Sequence, residues 1–406
     1  MTGSTIDHLI SLTVFIGALL VFISLFNQTL QTAILYQRQR YLATKCNDLL
    51  DNIMLNPGIP SDWGESGNVP IGFGLQDPKF THYALSPFSL MRLLSFAGNR
   101  AYYNGTWYSN VSWGVNGGYL FLRESECVSY DLASKLLGTN GTYGFRLTIM
   151  PTVNVTIVED QSAADHLRLN ITVIGQNSPL AGASIKYLLY RISASIPNFV
   201  NFTTGMASTD ALGFASLEFH NMNVSQNKMA YVFIARVSAG GLYGVGYLAR
   251  NAVTNAGTIV PYVENSNGTI LLVHNPVDSN AALHFNASFY VLSSNFQIAN
   301  GGVLNITSGP WLVNYGDGKP SFVLQIQPPN NGGFLVVSYW KEDGKNECGM
   351  VVVPWGIGII GLSIVFGGDS AGQGWVATDI RQVAVRGIAY QARLALWSLE
   401  SYEMMG

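Results

Sequence analysis

The chain has 406 residues, 48% of them hydrophobic and only 11% charged, with a formal net charge of −3. That length allows two or three domains, and an aromatic content of 12% excludes the composition of a disordered protein. The slightly acidic balance gives no electrostatic case for a nucleic-acid partner.

Leu9 to Phe26 reads LISLTVFIGALLVFISLF, without a charge. This approaches the ~20 apolar residues that cross roughly 30 Å of hydrocarbon. Met1 to His8 holds no Lys or Arg, and no A-x-A-like site follows Phe26, so a retained membrane helix is expected rather than a signal peptide. From Asn27 to Met54 no Gly or Pro intervenes. Leu30, Ala33, Ile34, Tyr41, Cys46, Leu49, Leu50 and Ile53 recur on or near one helical face, and Asn56-Pro57-Gly58 is a stop signal. One helix over residues 1–55 is predicted, apolar in its first half and amphipathic in its second.

Residues 56–162 read as a β head. ALSPFSLMRLLS offers a short helix or turn, and RAYYNGTWYSN a strand–turn–strand around Asn104-Gly105. Phe145, Leu147 and Ile149 alternate, then Val153, Val155 and Ile157 beyond Pro151. Residues 163–252 contain LRLNITVIG, a turn at Asn177-Ser178-Pro179, then IKYLLY, TDALGFASLEF and MAYVFIARVSA. Short strands at that spacing argue a β-sandwich. Residues 253–406 carry GTILLVH, ALHFNASFYVL, FVLQIQ and GFLVVSYW, then RQVAVRGIAYQARLALW. The last stretch is Ala- and Arg-rich, yet it alternates on both sides of Arg386-Gly387 and is read as a hairpin. A hairpin returning to the first head would make the sandwich an insertion. The predicted class is mainly β: a long N-terminal helix followed by two or three β-sandwich-like domains.

The long membrane helix, a P-x-x-W-G turn (Pro60, Trp63, Gly64), a G-x-G-L segment (Gly72, Gly74, Leu75) and LLG…YGFRLTI (Leu136 to Ile149) together resemble archaeal type IV pilin-like surface proteins. The resemblance runs through the first helix and head. It implies a helix that anchors the subunit in the membrane or packs with copies of itself in a filament core. It also implies peptidase cleavage between Gly3 and Ser4, although Thr2 stands where that family has a basic residue. The pattern Gly175…Pro179 to Ala183, with TDALGFA (Thr209 to Ala215), is similar to immunoglobulin-like or carboxypeptidase-regulatory-like sandwich modules. That implies a T-D-x-x-G turn joining two antiparallel strands, and a spacer or contact role.

Sequons occur at Asn27, Asn104, Asn110, Asn140, Asn154, Asn170, Asn201, Asn223, Asn267, Asn286 and Asn305. All but the first lie beyond the helix and mark candidate glycosylation sites on an exported surface. Arg38, Arg40 and Lys45 follow the apolar run and no Lys or Arg precedes it. Taken alone, the positive-inside tendency would leave the bulk in the cytoplasm. The sequons and the low-charge, β-rich composition outweigh it, so a single-pass cell-membrane protein with its C-terminal bulk extracellular is expected. In an oxidising space Cys127 and Cys348 are candidates for a disulfide, while Cys46 lies on the helix.

Signals for chemistry are weak. Gly356, Gly358 and Gly361 spell G-x-G-x-x-G, but a dinucleotide loop needs a helix next, and LSIVFGGDSAGQG is Gly-rich and β-branched. Residues 349–368 are uncharged and of membrane length, though six glycines and Pro354 favour buried strands over a second span. Ser370 in GDSAG matches a nucleophile loop, yet His8, His82, His166, His220, His274 and His284 stand in no partner motif. No spacing of ligand residues points to a metal, and no cofactor is expected. Trp107, Trp113, Trp311, Trp340 and Trp355 are candidate sugar platforms, with strand packing as the simpler role. The expected protein is not an enzyme. It is a membrane-anchored, pilin-like structural subunit, with adhesion as one role for its surface. Its partners would be the lipid bilayer and copies of itself. The alternatives are a surface serine hydrolase using Ser370 and a sugar- or solute-binding ectodomain.

Overall fold

In the computed structural model of the chain, one helix, α1 (Thr2–Leu55), runs for 54 residues, about 80 Å at 1.5 Å per residue. The residues described are 2–80, 83–93, 100–103, 105–110, 121–160, 166–193, 200–220, 222, 229–250, 259–265, 269–274, 282–291, 312–314, 320–326, 333–342, 348–355, 361, 363–370 and 375–399. Helix α1 persists because nothing in it demands another conformation. Its threonines, which compete for backbone groups elsewhere, turn back instead. The Thr13, Thr29, Thr32 and Thr44 hydroxyls donate to the carbonyls of Leu9, Leu25, Gln28 and Arg40.

Two short helices follow. In α2 (Pro87–Met91) Ser86 caps the start and Pro87 opens the first turn. The second, α3 (Tyr130–Leu136), was not anticipated, though its signals are present. The Ser129 hydroxyl accepts from the Leu132 N–H, Asp131 sits in the first turn and Lys135 in the last. Gly138 follows with φ +65°.

The rest is mainly β. The head carries β1 (Arg100–Tyr103), β2 (Thr106–Asn110), β3 (Phe121–Arg123) and β4 (Tyr143–Pro151). The next segment holds β5 (Val153–Asp160), β6 (Leu167–Gly175), β7 (Ser178–Pro179), β8 (Ser184–Ser193), β9 (Val200–Ser208), β10 (Phe214–Phe219), β11 (Met229–Ala239) and β12 (Leu242–Arg250). Beyond them come β13 (Ile259–Asn265), β14 (Thr269–His274), β15 (Ala282–Val291), β16 (Leu312–Asn314), β17 (Pro320–Ile326), β18 (Gly333–Glu342), β19 (Cys348–Trp355), β20 (Ile364–Gly367), β21 (Val376–Val385) and β22 (Ile388–Ser398). Within the uncharged stretch 349–368, residues 349–355 belong to β19 and Ile364–Gly367 is β20, while Gly361 lies in a turn between them.

The sheets run β20-β4-β22-β21, β10-β6-β5 with β7 on β6, β12-β11-β8-β9, β15-β18-β19 and β1-β2-β3-β13-β14-β17-β16. Among these strands only β3–β13 pair in parallel. The terminal hairpin forms at Arg386-Gly387, with φ +49° and +79°, the two positive values that a two-residue type I′ turn requires. Strand β22 then pairs with β4, from Tyr390↔Pro151 to Ser398↔Tyr143. The chain thus leaves this sheet after β4, builds the sandwich, and returns to it. The Asp210 turn differs from expectation. The Asp210 carboxylate accepts from the Leu212 and Phe214 N–H groups, but the turn does not close a hairpin. It carries the chain from β9, paired with β8, to β10, paired with β6 in the facing sheet.

The sandwich is not a bead on a string. Along β11, Tyr231, Phe233, Ala235 and Val237 face the core shared with β5 and β6. The alternate residues Ala230, Val232 and Ile234 face a second core, with Phe334, Val352, Tyr390 and the end of α1. A strand buried on both faces reads as a continuous apolar run, as AYVFIARV does.

Candidate functional site: an apolar helix and its socket

Helix α1 changes surroundings part-way along. From Ile6 to Tyr41 every residue is exposed; the first buried one is Leu42. Leu9 to Phe26 therefore has no protein covering it, and its 18 residues rise about 27 Å, close to the hydrocarbon thickness of a bilayer. The helix is long and apolar enough to cross a membrane. The expected amphipathic stripe is only half used. Cys46, Leu49, Leu50 and Ile53 are buried, joined by Leu42 and Met54, while Leu30, Ile34 and Tyr41 are exposed. The reason is the extent of the sheet beneath. The Cys46 thiol sits 3.7 Å from the Ala377 carbonyl and 3.5 Å from that of Leu394, and Ala377 is the second residue of β21. From Tyr41 back to Ile6 the residues of α1 are exposed.

The docked end is held by a socket. Asp51 on α1 accepts two bonds from Arg381, at 2.8 Å from Nε and 3.2 Å from Nη2, and a third from the Tyr83 hydroxyl at 3.2 Å. Asp379 adds a second carboxylate to Arg381 at 3.0 Å. These bonds, that to Asp51 above all, raise the Arg381 pKa further. The helix's terminal carbonyls, which need partners, find them in the returning chain. The Leu75 N–H donates to the Ile53 carbonyl and the Gln76 N–H to that of Asn56, at 2.8 and 3.1 Å.

The residues of the pilin-like resemblance build this collar. The Trp63 indole N–H donates to the Pro57 and Gly74 carbonyls at 3.0 and 3.1 Å. A Cβ on Gly74 would collide with the Asn56 carbonyl, and one on Gly64 with the Ser89 backbone. Arg92, buried, lies 5.4 Å from the Trp63 ring centre. Its guanidinium donates to the carbonyls of Glu126, Ser66 and Asn68 at 2.7, 2.6 and 2.9 Å. Burial pulls the Arg92 pKa down and pushes that of neighbouring Glu126 up. Pattern reading marked Pro60, Trp63, Gly64, Gly72 and Gly74 but gave no hint of Arg92, Asp51 or Arg381.

Gly3 and Ser4 lie in the first turn of α1 and Asn27 on its exposed length. Asn140, in the turn after α3, and Asn154, on β5, are exposed; Asn170 and Asn201 are half-buried on β6 and β9. Asn110 and Asn286 belong to β2 and β15, and Asn104, Asn223, Asn267 and Asn305 lie outside the described residues. The disulfide expected between Cys127 and Cys348 is not formed. Cys127 is a free, buried thiol, 3.5 Å from the Arg123 carbonyl on the turn Glu124–Glu126, while Cys348 opens β19. Burial pushes the Cys127 thiol up to about 12.

Gly361 does not open a helix. It has φ +79° and packs on the Val245 carbonyl of β12, and β20 follows it; Gly356 and Gly358 lie outside the described residues. Ser370 lies in the connection from β20 to β21. Ahead of it Asp369 pairs with Arg146 at 3.3 Å. Residues 371–374 lie outside the described residues, and β21 has begun by Val376. Trp107 is exposed on β2; Trp340 and Trp355 belong to β18 and β19, and Trp113 and Trp311 lie outside the described residues. Among the described residues no group of three or more His, Cys, Asp or Glu is placed to hold a metal ion. No protein-family model matches the chain, and no curated protein matches it.

Proposed function

We propose that the chain is a membrane-anchored, pilin-like surface protein with a structural role. Residues up to Phe26 sit in lipid, and the β bulk stands outside the cell. The observation that carries this reading is the uncovered length of α1 from Ile6 to Tyr41, with the apolar run Leu9 to Phe26 inside it, joined to a socket that fixes its far end. A free helix of that composition in water would leave its apolar area unburied, at about 25 cal/mol per Å². Lipid removes that cost, and self-association through Leu30, Ile34 and Tyr41 would cover the stretch between bilayer and head. Exposed Asn140 and Asn154 suit glycan attachment on an outer surface.

The test is intact mass and N-terminal sequencing of the protein from native membranes, with external protease added to intact cells. A membrane-bound chain starting at Ser4, carrying added glycan mass and cut from outside, is the expected result. Recovery of an unprocessed, unglycosylated chain that is protected from external protease would overturn the orientation. Recovery in the soluble fraction would overturn the anchor.

A further inference from the structure

The outer face of the β10-β6-β5 sheet ends in a pair of histidines that the anchor and socket do not use. Glu218 pairs across the strands with Arg168, and Phe219 with Leu167; one step further stand His220 and His166. Strand alternation puts His166, Arg168, Glu218 and His220 on one face. The two imidazole centroids are 5.8 Å apart with planes at 47°. The His166 Nε2 atom is shielded from solvent and has no hydrogen-bond partner among the described residues, an arrangement that costs free energy unless something binds it.

We propose that His166 and His220 chelate a divalent transition cation of the zinc class, with water completing the coordination. Neutral imidazole is the usual ligand of such ions. Two imidazoles on one tetrahedral zinc, with Zn–N near 2.0–2.1 Å, place their centroids about 5.2 Å apart. The observed 5.8 Å is within a small side-chain rotation of that value. Two carboxylates lie beside the pair: Asp160 and Glu218 both pair with Arg168, at 3.5 and 2.6 Å. Glu218 bonds Arg168 through Oε1, and strand alternation puts its carboxylate on the same face as the two histidines. Such an ion would tie together the ends of β6 and β10.

The experiment is a Zn²⁺ titration of the detergent-solubilised full chain against a chromophoric chelator. His166→Gln and His220→Gln are each compared with the unmodified chain. Loss of either histidine should weaken the tightest site by about tenfold or more, and the double variant sets the background from the remaining histidines. Unmodified chain that binds Zn²⁺ no better than the double variant overturns the proposal. In case a variant misfolds, diethylpyrocarbonate modification of the unmodified chain, read by peptide mass, stands independently. Zn²⁺ should protect His166 and His220 together; equal modification with and without Zn²⁺ overturns it.

Discussion

The two parts of α1 share a conformation and much of a composition, yet they answer to different surroundings. From Leu42 to Met54 the helix buries Leu42, Leu49, Leu50, Ile53 and Met54. At about 2 kcal/mol for each buried side chain these supply on the order of 10 kcal/mol, comparable with the whole stability of a typical domain. From Ile6 to Tyr41 comparable leucines and isoleucines are exposed. The comparison teaches that one unbroken helix can be docked and structural at one end and uncovered at the other, where its apolar residues suit the lipid placement proposed above. The boundary is set by where β21 begins, not by the helix itself.

The sharpest way to break that comparison is one substitution made twice. Leu50→Asp places a carboxylate where Leu50 is fully buried. Lost burial and an unpaired charge together should cost more than ~4 kcal/mol, seen as a collapse of the urea midpoint of the solubilised chain. Leu20→Asp, on the projecting length, should leave that midpoint unchanged. On the proposed membrane placement its effect is on insertion, where an aspartate at mid-span costs about 3 kcal/mol, read as a shift toward the carbonate-extractable fraction. Equal midpoints for the two variants would show that the socket does not hold the helix.

Glycines give the next contrast. At Gly74 an added methyl meets the Asn56 carbonyl, a backbone atom that cannot swing aside. Gly74→Ala should cost about 2 kcal/mol by overpacking. At Gly17 nothing lies within 4 Å of the new methyl, so Gly17→Ala should leave the head's urea midpoint where it was.

Much of this was legible in the sequence, because the informative patterns are local. The absence of breakers from Asn27 to Met54 gave the extent of α1, and alternation on both sides of Arg386-Gly387 gave the terminal hairpin. What was not legible depends on the partner opposite. Leu30 and Ile34 have the same spacing as Leu49 and Ile53, so periodicity placed them all on a buried face. The Asp210 turn announces a reversal without saying which sheet the next strand joins. Helix α3 was missed because seven residues hold too few turns for a period, although its cap was in view. In the socket, Trp63 and Gly74 stood out as a motif, but the Asp51–Arg381 bond joins residues 330 positions apart and leaves no local trace.

That bond should matter less than the burial around it. Arg381 and Asp51 are both partly exposed, and pairs of this kind are worth about 1 kcal/mol or less. Arg381→Ala should lower the urea midpoint slightly, and high salt should narrow the gap to the unmodified chain.

The smallest effect reads the same junction through its thiol. Burial first, then the Asp379 carboxylate, raise Cys46 from 9.0 to about 11. The native state therefore holds the neutral thiol, and the unfolded chain ionises first. The stability linked to this group is complete below pH 9 and is lost as pH rises toward 11. Comparing urea midpoints of the unmodified chain and Cys46→Ala over that window should show the unmodified chain losing ground. At pH 8 the thiolate is scarce and covered by β21 and β22, so maleimide should label the Cys46 peptide only after unfolding. Rapid labelling of the native chain would mean that α1 lifts away from Ala377 and Leu394. The projecting length would then extend past Leu42, and the division of the helix into docked and free parts would fail at its boundary.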